Sequence, residues 1–379
     1  KALSGAKTMK VHQISGTPPL DLAHALEEFE KPFSYPLGPG TFFRISHGND
    51  YTLFFRAQGN AACFVAEREG RVIGVLGTVI RQLWMPDGSE KMAAYFGDLK
   101  IAAEAQGGRV LLRLARAAER WLRPQVEIGF GVVMGGTKLM PDSYTGRAGI
   151  PSFENLGRLV LFRISGGKGK EPAIEPESYL INREAGLECY RRLSLGRFAC
   201  PTGDGQQRSE ITPIWLMKSD GSACGMLEDT RKAKRLIMGD GVELLSAHLS
   251  CFAYRGASAG AELIRIALHW AVRLGLPALF VSVAERDAEE LRAALGGCDI
   301  LPAAAVVYGT GLGACFKIAE QRGTGLLPGA FAGSILTARR GDAQISPPRP
   351  PPKSLAARHS AILKQAVRFG DWNINSSEI

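Results

Sequence analysis

Two glycine-bearing turns hold the residues best suited to chemistry. The first is Gln106-Gly107-Gly108. It follows Tyr95, Leu99 and Ile101, spaced as on a strand, and precedes Val110, Leu111, Leu114, Ala115, Ala118, Trp121 and Leu122 at helical spacing. Glycine lets the chain turn sharply and brings bare amides close to a ligand. The first amides of the following helix, from Arg109 and Val110 onward, lack intrahelical acceptors and sit at the positive end of the helix dipole. Such a turn is suited to hold an anion such as a pyrophosphate. The second turn, Arg255-Gly256-Ala257-Ser258-Ala259-Gly260, stands between another strand and another amphipathic helix. It also reads G-x-S-x-G, the setting of a hydrolase nucleophile, with Ser258 as nucleophile and Asp287 or Asp299, then His359, as its later partners.

Other motifs carry less. Gly309-Thr310-Gly311-Leu312-Gly313-Ala314 looks like a dinucleotide fingerprint without its helix and acid, so a plain turn is expected there. In Gly131–Lys138, Thr137 precedes Lys138 in the wrong order for a phosphate loop. His269 reads as a packing residue, and His248 either lines a cleft or is buried. The seven cysteines are scattered without a C-x-x-C pair, which implies neither a disulfide framework nor a metal site.

Stepping outward, the elements that position these turns repeat. Ala62–Ala66 and Val72–Ile80 read as a hairpin around Gly70; Ile214–Met217 and Ala223–Leu227 read as another around Gly221. Gly70 and Gly221 lie 151 residues apart, and Gly107 and Gly256 lie 149 apart. Hairpin, strand, turn, helix and strand thus recur at one offset, the signature of an internal duplication. The remaining expected elements are a helix over Asp21–Phe29 capped by Asp21, a short helix within Asp50–Gln58, strands over Glu127–Met134, Arg158–Ile164, Glu243–Phe252, Leu279–Val283 and Ala303–Tyr308, and a helix over Asp287–Leu295. Pro141–Asn155 reads as an irregular polar loop. The expected division is 10–165 and 179–320 as two α/β domains, 166–178 as linker and 321–379 as tail, the tail holding a polyproline stretch at Ser346–Lys353 and a short helix over Ser354–Phe369. Met9 reads as a natural start, with Lys1–Thr8 a remnant of something upstream.

The formal net charge of +9 over 379 residues is not gathered in long basic runs, so nucleic acid is permitted but not indicated, and an anionic cofactor is suited. The longest apolar run, Ile264–Val283, is broken by Arg265, His269 and Arg273, and no membrane partner is expected. Free cysteines fit a reducing, cytoplasmic setting.

With these elements in this order, each half resembles the GNAT superfamily of acyl-coenzyme A-dependent N-acyltransferases, and the whole resembles a tandem GNAT protein. The resemblance rests on Leu99-Lys100-Ile101-Ala102-Ala103 for the family's L-x-V-x-P strand, Gln106, Gly107 and Gly108 for its Q/R-x-x-G-x-G/A turn, and Arg255, Gly256 and Gly260 in the second half, where Ser258 replaces a glycine. It implies two mixed, mostly antiparallel sheets flanked by helices. It also implies acetyl-CoA or another acyl-CoA held by Leu99, Ile101, Gln106, Gly107, Gly108, Arg109 and Val110, or by Arg255, Gly256, Ser258 and Gly260, and transfer to an amine by direct attack on the thioester. The resemblance assigns Asp98 as base and Tyr144 as acid, with Arg292 at the tyrosine's place in the second half. A non-catalytic acyl-CoA-binding protein and a hydrolase using Ser258 stand as alternatives. The acceptor, a small-molecule amine or a peptide or protein amine, and a homo-oligomer are left open.

Overall fold

The computed structural model describes residues 9–37, 40–123, 125–137, 139–166, 176–202, 205–312 and 371–375. The first half runs β1 (Met9–Ile14), α1 (Leu20–Glu30), β2 (Tyr35–Pro36), β3 (Phe42–Ser46), α2 (Leu53–Arg56), β4 (Asn60–Arg68), β5 (Arg71–Trp84), β6 (Glu90–Ile101), α3 (Val110–Leu122), β7 (Ile128–Met134), α4 (Pro141–Tyr144) and β8 (Glu154–Ser165). The second runs β9 (Leu180–Ile181), α5 (Arg183–Leu193), β10 (Arg197–Ala199), β11 (Ile214–Met217), β12 (Ala223–Glu228), β13 (Arg235–Met238), β14 (Ala247–Tyr254), α6 (Ala257–Arg273), β15 (Ala278–Ala284), α7 (Glu285–Ala294) and β16 (Asp299–Gly311). A last strand, β17 (Asp371–Asn373), follows.

The two halves share one sheet, ordered β1-β4-β5-β6-β7-β16-β8-β15-β14-β12-β11-β9. Most neighbours are antiparallel; β6–β7 and β14–β15 are parallel. The halves exchange strands: β16 of the second lies between β7 and β8 of the first, and β8 pairs with β15. Strands β4 and β5 are apolar nearly throughout because helices cover both faces, as in any sheet buried on two sides. Cys63 and Val65 meet Leu26 and Phe29 of α1 on one face, while Ala62, Phe64 and Ala66 meet Val110, Leu114 and Ala118 of α3 on the other. In the second half α5 and α6 take the corresponding positions. A separate three-stranded sheet, β13-β3-β2, draws one strand from the second half and two from the first.

Backbone irregularities repeat with the duplication. The β5–β6 register shifts between Val75 and Gly77, opposite Asp98 at φ +54°; the β12–β14 register shifts between Cys224 and Met226, opposite Cys251 at φ +48°. Each is a bulge on the strand before the glycine turn, and a bulge bends the strand and re-aims its side chains. Gly77 has no room for a side chain, because an added Cβ would lie 2.2 Å from Phe55 Cε1.

Several expectations need correction. Asp21 does not cap α1: Pro19 is the cap residue and Asp21 sits in the first turn, favourable to the dipole only. Gly309–Gly311 belongs to β16 rather than to a turn, because β16 pairs there with β7. The loop over Pro141–Asn155 contains one helical turn, α4, and its end begins β8. The helix expected over Ser354–Phe369, the polyproline stretch and His359 lie outside the described residues. No helix among the described residues is long and apolar enough to cross a membrane.

Candidate active site

The parallel ladder between β6 and β7 is short. It pairs Ala93 with Ile128 through Phe96 with Gly131 and then stops, although β6 continues to Ile101 and β7 to Met134. Beyond Phe96 the two strands part, and the edge of β6 facing the gap, at Leu99 and Ile101, is left unladdered. The bulge at Asp98 falls at this opening, and the Gln106-Gly107-Gly108 turn lies at its end.

The turn has the conformation that its glycines predict. Gly107 adopts φ +72°, no atom lies within 4 Å of where its Cβ would be, and the Gln106 amide side chain donates to Ile101 O at 3.3 Å. The amides of Gly107, Gly108 and Arg109 find no backbone acceptor among the described residues, and Arg109, the cap of α3, makes no side-chain capping bond. Uncommitted amides at the positive end of a 13-residue helix are suited to an anion.

Beneath the opening, on the α1 face, lies a buried ionic cluster that the sequence reading missed. Lys100 donates to Glu30 Oε1 at 2.7 Å and to Asp98 Oδ2 at 3.0 Å. The Tyr51 hydroxyl donates to Asp98 Oδ2 at 2.9 Å. His47 Nδ1 is 2.8 Å from Glu30 Oε1, and its Nε2 is 3.5 Å from Asp98 Oδ2 with no hydrogen-bond partner. The Glu30, His47 and Lys100 side chains are 1–2% exposed and that of Asp98 is 11%, so Asp98 is the member nearest the opening. The carboxylates and the histidine could by spacing hold a cation. That place is taken by the Lys100 ammonium, which bridges both carboxylates and lies 5.9 Å from the Tyr51 ring centroid.

Burial pushes the Asp98 carboxyl up, but the Lys100 ammonium, then His47 and the two hydrogen bonds, outweigh burial and hold it at about 2. Glu30 likewise ends below its ordinary value, since His47 and Lys100 override its burial. Both carboxyls are depressed in the fold, so their contribution to stability is complete above the unfolded value near 4 and is lost as pH falls toward about 2. Urea unfolding measured from pH 6 to pH 2 is expected to show stability falling steeply below about pH 4. A flat profile would mean that the carboxylates gain nothing from folding.

Tyr144 lies in α4. Its phenol is pushed up to about 12 by burial, with Tyr308 and Asp142 adding to it. Tyr308 pairs with Gly131, the residue at which the β6–β7 ladder ends, so Tyr144 lies near a side chain of β16 level with that end.

The second half has the same opening, filled differently. β14 and β15 pair only at Ala247–Leu279 and His248–Phe280. Residues 371–375 occupy the divergence: Asn375 Oδ1 accepts from the Cys251 amide at 2.6 Å, and β17 lies against β14 and β15. Gly256 has the expected turn conformation, φ +84°, and Gly260 packs against Tyr254; the Arg255 amide bonds to Ser222 O at 2.7 Å as the Gln106 amide bonds to Ala103 O at 3.3 Å, and the amides of Gly256, Ala257 and Ser258 likewise find no backbone acceptor among the described residues. At Asp98's position stands Cys251. Ser258 is exposed, while Asp287 pairs with Arg197 and Asp299 accepts from Ser165, so neither acid reaches it. Arg292 is paired with Glu289 on the surface of α7.

Glu30, His47, Tyr51 and Lys100 left little trace in the sequence. The one available signal was Asp98-x-Lys100, an acid and a base two apart in an otherwise apolar strand, which puts opposite charges side by side wherever that strand is bulged.

The sequence matches no protein-family model and no curated protein. Similarity is found among solved structures. N-myristoyltransferase of Saccharomyces cerevisiae with bound myristoyl-CoA superposes with a TM-score of 0.55 at 10% identity, over 82% of this chain and 80% of that one. A presumed acetyltransferase from Pyrococcus horikoshii gives 0.51 at 10% identity, over 82% and 92%. At such identity it is the fold that is shared.

Proposed function

On the premise that this chain has the tandem two-lobe fold of the GNAT superfamily, we propose that it is an acyl-CoA-dependent N-acyltransferase whose first half binds and uses the thioester, with acetyl as the acyl group. The observation that carries this reading is the contrast between the two openings. Both are flanked by uncommitted turn amides, and the first adds an open strand edge, a carboxylate and a phenol. The second is filled by the chain's own residues 371–375.

The residues of the first opening fit an acyl-coenzyme A. The amides of Gly107, Gly108, Arg109 and Val110 suit its pyrophosphate, and the β6 edge at Leu99 and Ile101 suits the arm that carries the thioester. The cofactor supplies an activated acyl group and a thiolate leaving group. Tyr144, with a phenol that stays protonated at neutral pH, can donate a proton to that thiolate. Asp98 meets the incoming amine, but a carboxylate held at about 2 is a weak proton acceptor at neutral pH. His47 lies behind it, its Nδ1 2.8 Å from Glu30 Oε1 and its Nε2 3.5 Å from Asp98 Oδ2. In this reading Asp98 orients the amine and receives its proton, directly or through a water.

Gly107 and Gly256 provide a matched test, since both hold a positive φ with open space beside them. Valine at Gly107 is expected to weaken acetyl-CoA binding by at least about tenfold, roughly 1.4 kcal/mol, in calorimetric titration. Valine at Gly256 is expected to leave affinity near that of the parent, with one site per chain in both the parent and this variant. The reverse pattern would move the cofactor to the second half.

A further inference from the structure

Between the large sheet and the three-stranded sheet above it lies a cavity of about 30 Å³. That is room for a water or two, or for one carboxylate, but not for a chain. Phe43 and Ile45 of β3 form part of its roof; Met134, Arg163 and His248 form part of its floor, and Lys234 reaches it from the strand-side loop before β13. No carboxylate lines it.

Its polar groups are of one kind. The Lys234 side chain is buried, with its ammonium 4.5 Å from the Phe54 ring centroid. The His248 ring is buried and stacked on Phe280 at 5.3 Å. Arg163, only partly exposed, has a buried Nε without a hydrogen-bond partner and makes no ion pair among the described residues. Burial pushes this guanidinium down from its ordinary value, and Asp299 on the neighbouring strand offsets this only through space. The guanidinium is withdrawn from water only at Nε, and an N–H buried there without a partner is unfavourable unless an acceptor joins it.

The cavity also connects with the active site. Phe43, Ile45 and His47 alternate along β3 and are all buried, so they share its inward face. Following that face leads from the cavity to His47, on the order of 7–13 Å at the usual rise of a strand. Met134 lies on β7 beyond Gly131, where β6 and β7 have parted. The cavity and His47 thus share one face of β3.

We infer that the amine acceptor carries a carboxylate, which Arg163 binds in the cavity between the two sheets while the amine faces Asp98 and His47. This inference rests on the acyl-transfer reading of the site. It places the acceptor among amino acids or peptides with nitrogen and carboxylate separated by several bonds, rather than among simple amines. Specificity would come from the pairing of the half-buried guanidinium, through its unpartnered Nε, with a carboxylate, which penalises any amine that leaves that N–H bare.

The test compares two probes that differ in the carboxylate alone, 6-aminohexanoate and hexylamine, titrated by calorimetry into the full chain. The expected result is binding of 6-aminohexanoate at least about tenfold tighter than hexylamine. Arg163→Gln is expected to abolish that preference without lowering the urea midpoint of unfolding, because the arginine has no partner to lose, and Arg163→Lys is expected to restore part of it. Equal binding of the two probes, binding of neither, or a preference that survives Arg163→Gln would overturn the inference. Acetyl-CoA titrated into the same samples separates the two claims. Retained cofactor binding without probe preference overturns the carboxylate alone, whereas probe preference without cofactor binding overturns the transferase reading and leaves the anion site standing.

Discussion

Lys100→Met is expected to cost about 3–5 kcal/mol of stability, the usual penalty for removing one partner of a buried ion pair. The size of the effect comes from what remains. Lys100 is 3% exposed and bridges Glu30 and Asp98, so methionine of similar length leaves two carboxylates facing each other without their cation. His47 remains beside them, 2.8 Å from Glu30 and 3.5 Å from Asp98, but does not take the place of the bridging ammonium. The variant should therefore be both unstable and, where folded, inactive. Adding Glu30→Gln and Asp98→Asn to Lys100→Met is expected to recover much of the stability, since uncharged groups in the same place carry a smaller desolvation cost. Urea midpoints of the single and triple variants check both statements. A single variant within about 1 kcal/mol of the parent would show that the lysine does not hold the cluster together.

Trp372→Ala is the second large effect, again about 3–5 kcal/mol. Trp372 is 2% exposed, stacks on Phe198 at 4.5 Å between centroids and meets Phe130 at 5.3 Å, so the strand β17 is fixed into the core by this ring. The same ring lies over Gly157, where an added Cβ would come within 3.0 Å of it. Truncation to alanine leaves a cavity at the junction of β7, β8 and β10, and cavities of that origin add to the lost transfer energy. Trp372→Phe should cost less, because a ring remains between Phe198 and Phe130. Unfolding by urea reads the ordering alanine below phenylalanine below tryptophan. An alanine variant as stable as the parent would mean that residues 371–375 are not part of the folded core. Coenzyme A stoichiometry in the alanine variant should stay at one site per chain, because Asn375 bonds to the Cys251 amide and to Cys200 O and so keeps its own anchors in the second opening.

The candidate site was legible in the sequence wherever its signal was local. The Gly107 and Gly256 turns announce themselves because a positive φ requires glycine and because the helical spacing starts at once afterwards. Asp98 and Tyr144 were picked out through a resemblance; the structure puts Asp98 on the bulge of β6 and Tyr144 near Tyr308 of β16. It also gives Asp98 a partner set that weakens it as a base. That partner set could not be read. Glu30 and Lys100 are 70 residues apart and His47 and Glu30 are 17 apart, and nothing about a charged residue in a chain says which distant charge will face it.

While α5 and the short strands β1, β3, β10 and β13 went unread, what the sequence determined by itself was the repeated order of hairpin, strand, turn, helix and strand and the two glycine turns. Each of these follows from side-chain periodicity or backbone sterics within a few residues. What only the tertiary structure decided was everything that depends on pairing at a distance: the exchange of β8 and β16 between the halves, the mixed sheet of β3 with β13, the filling of one opening by residues 371–375, and the convergence of Glu30, His47, Asp98 and Lys100. Two duplicated units began with the same backbone plan. Which of them kept an open slot was settled by where a strand more than 100 residues beyond the second turn came to rest.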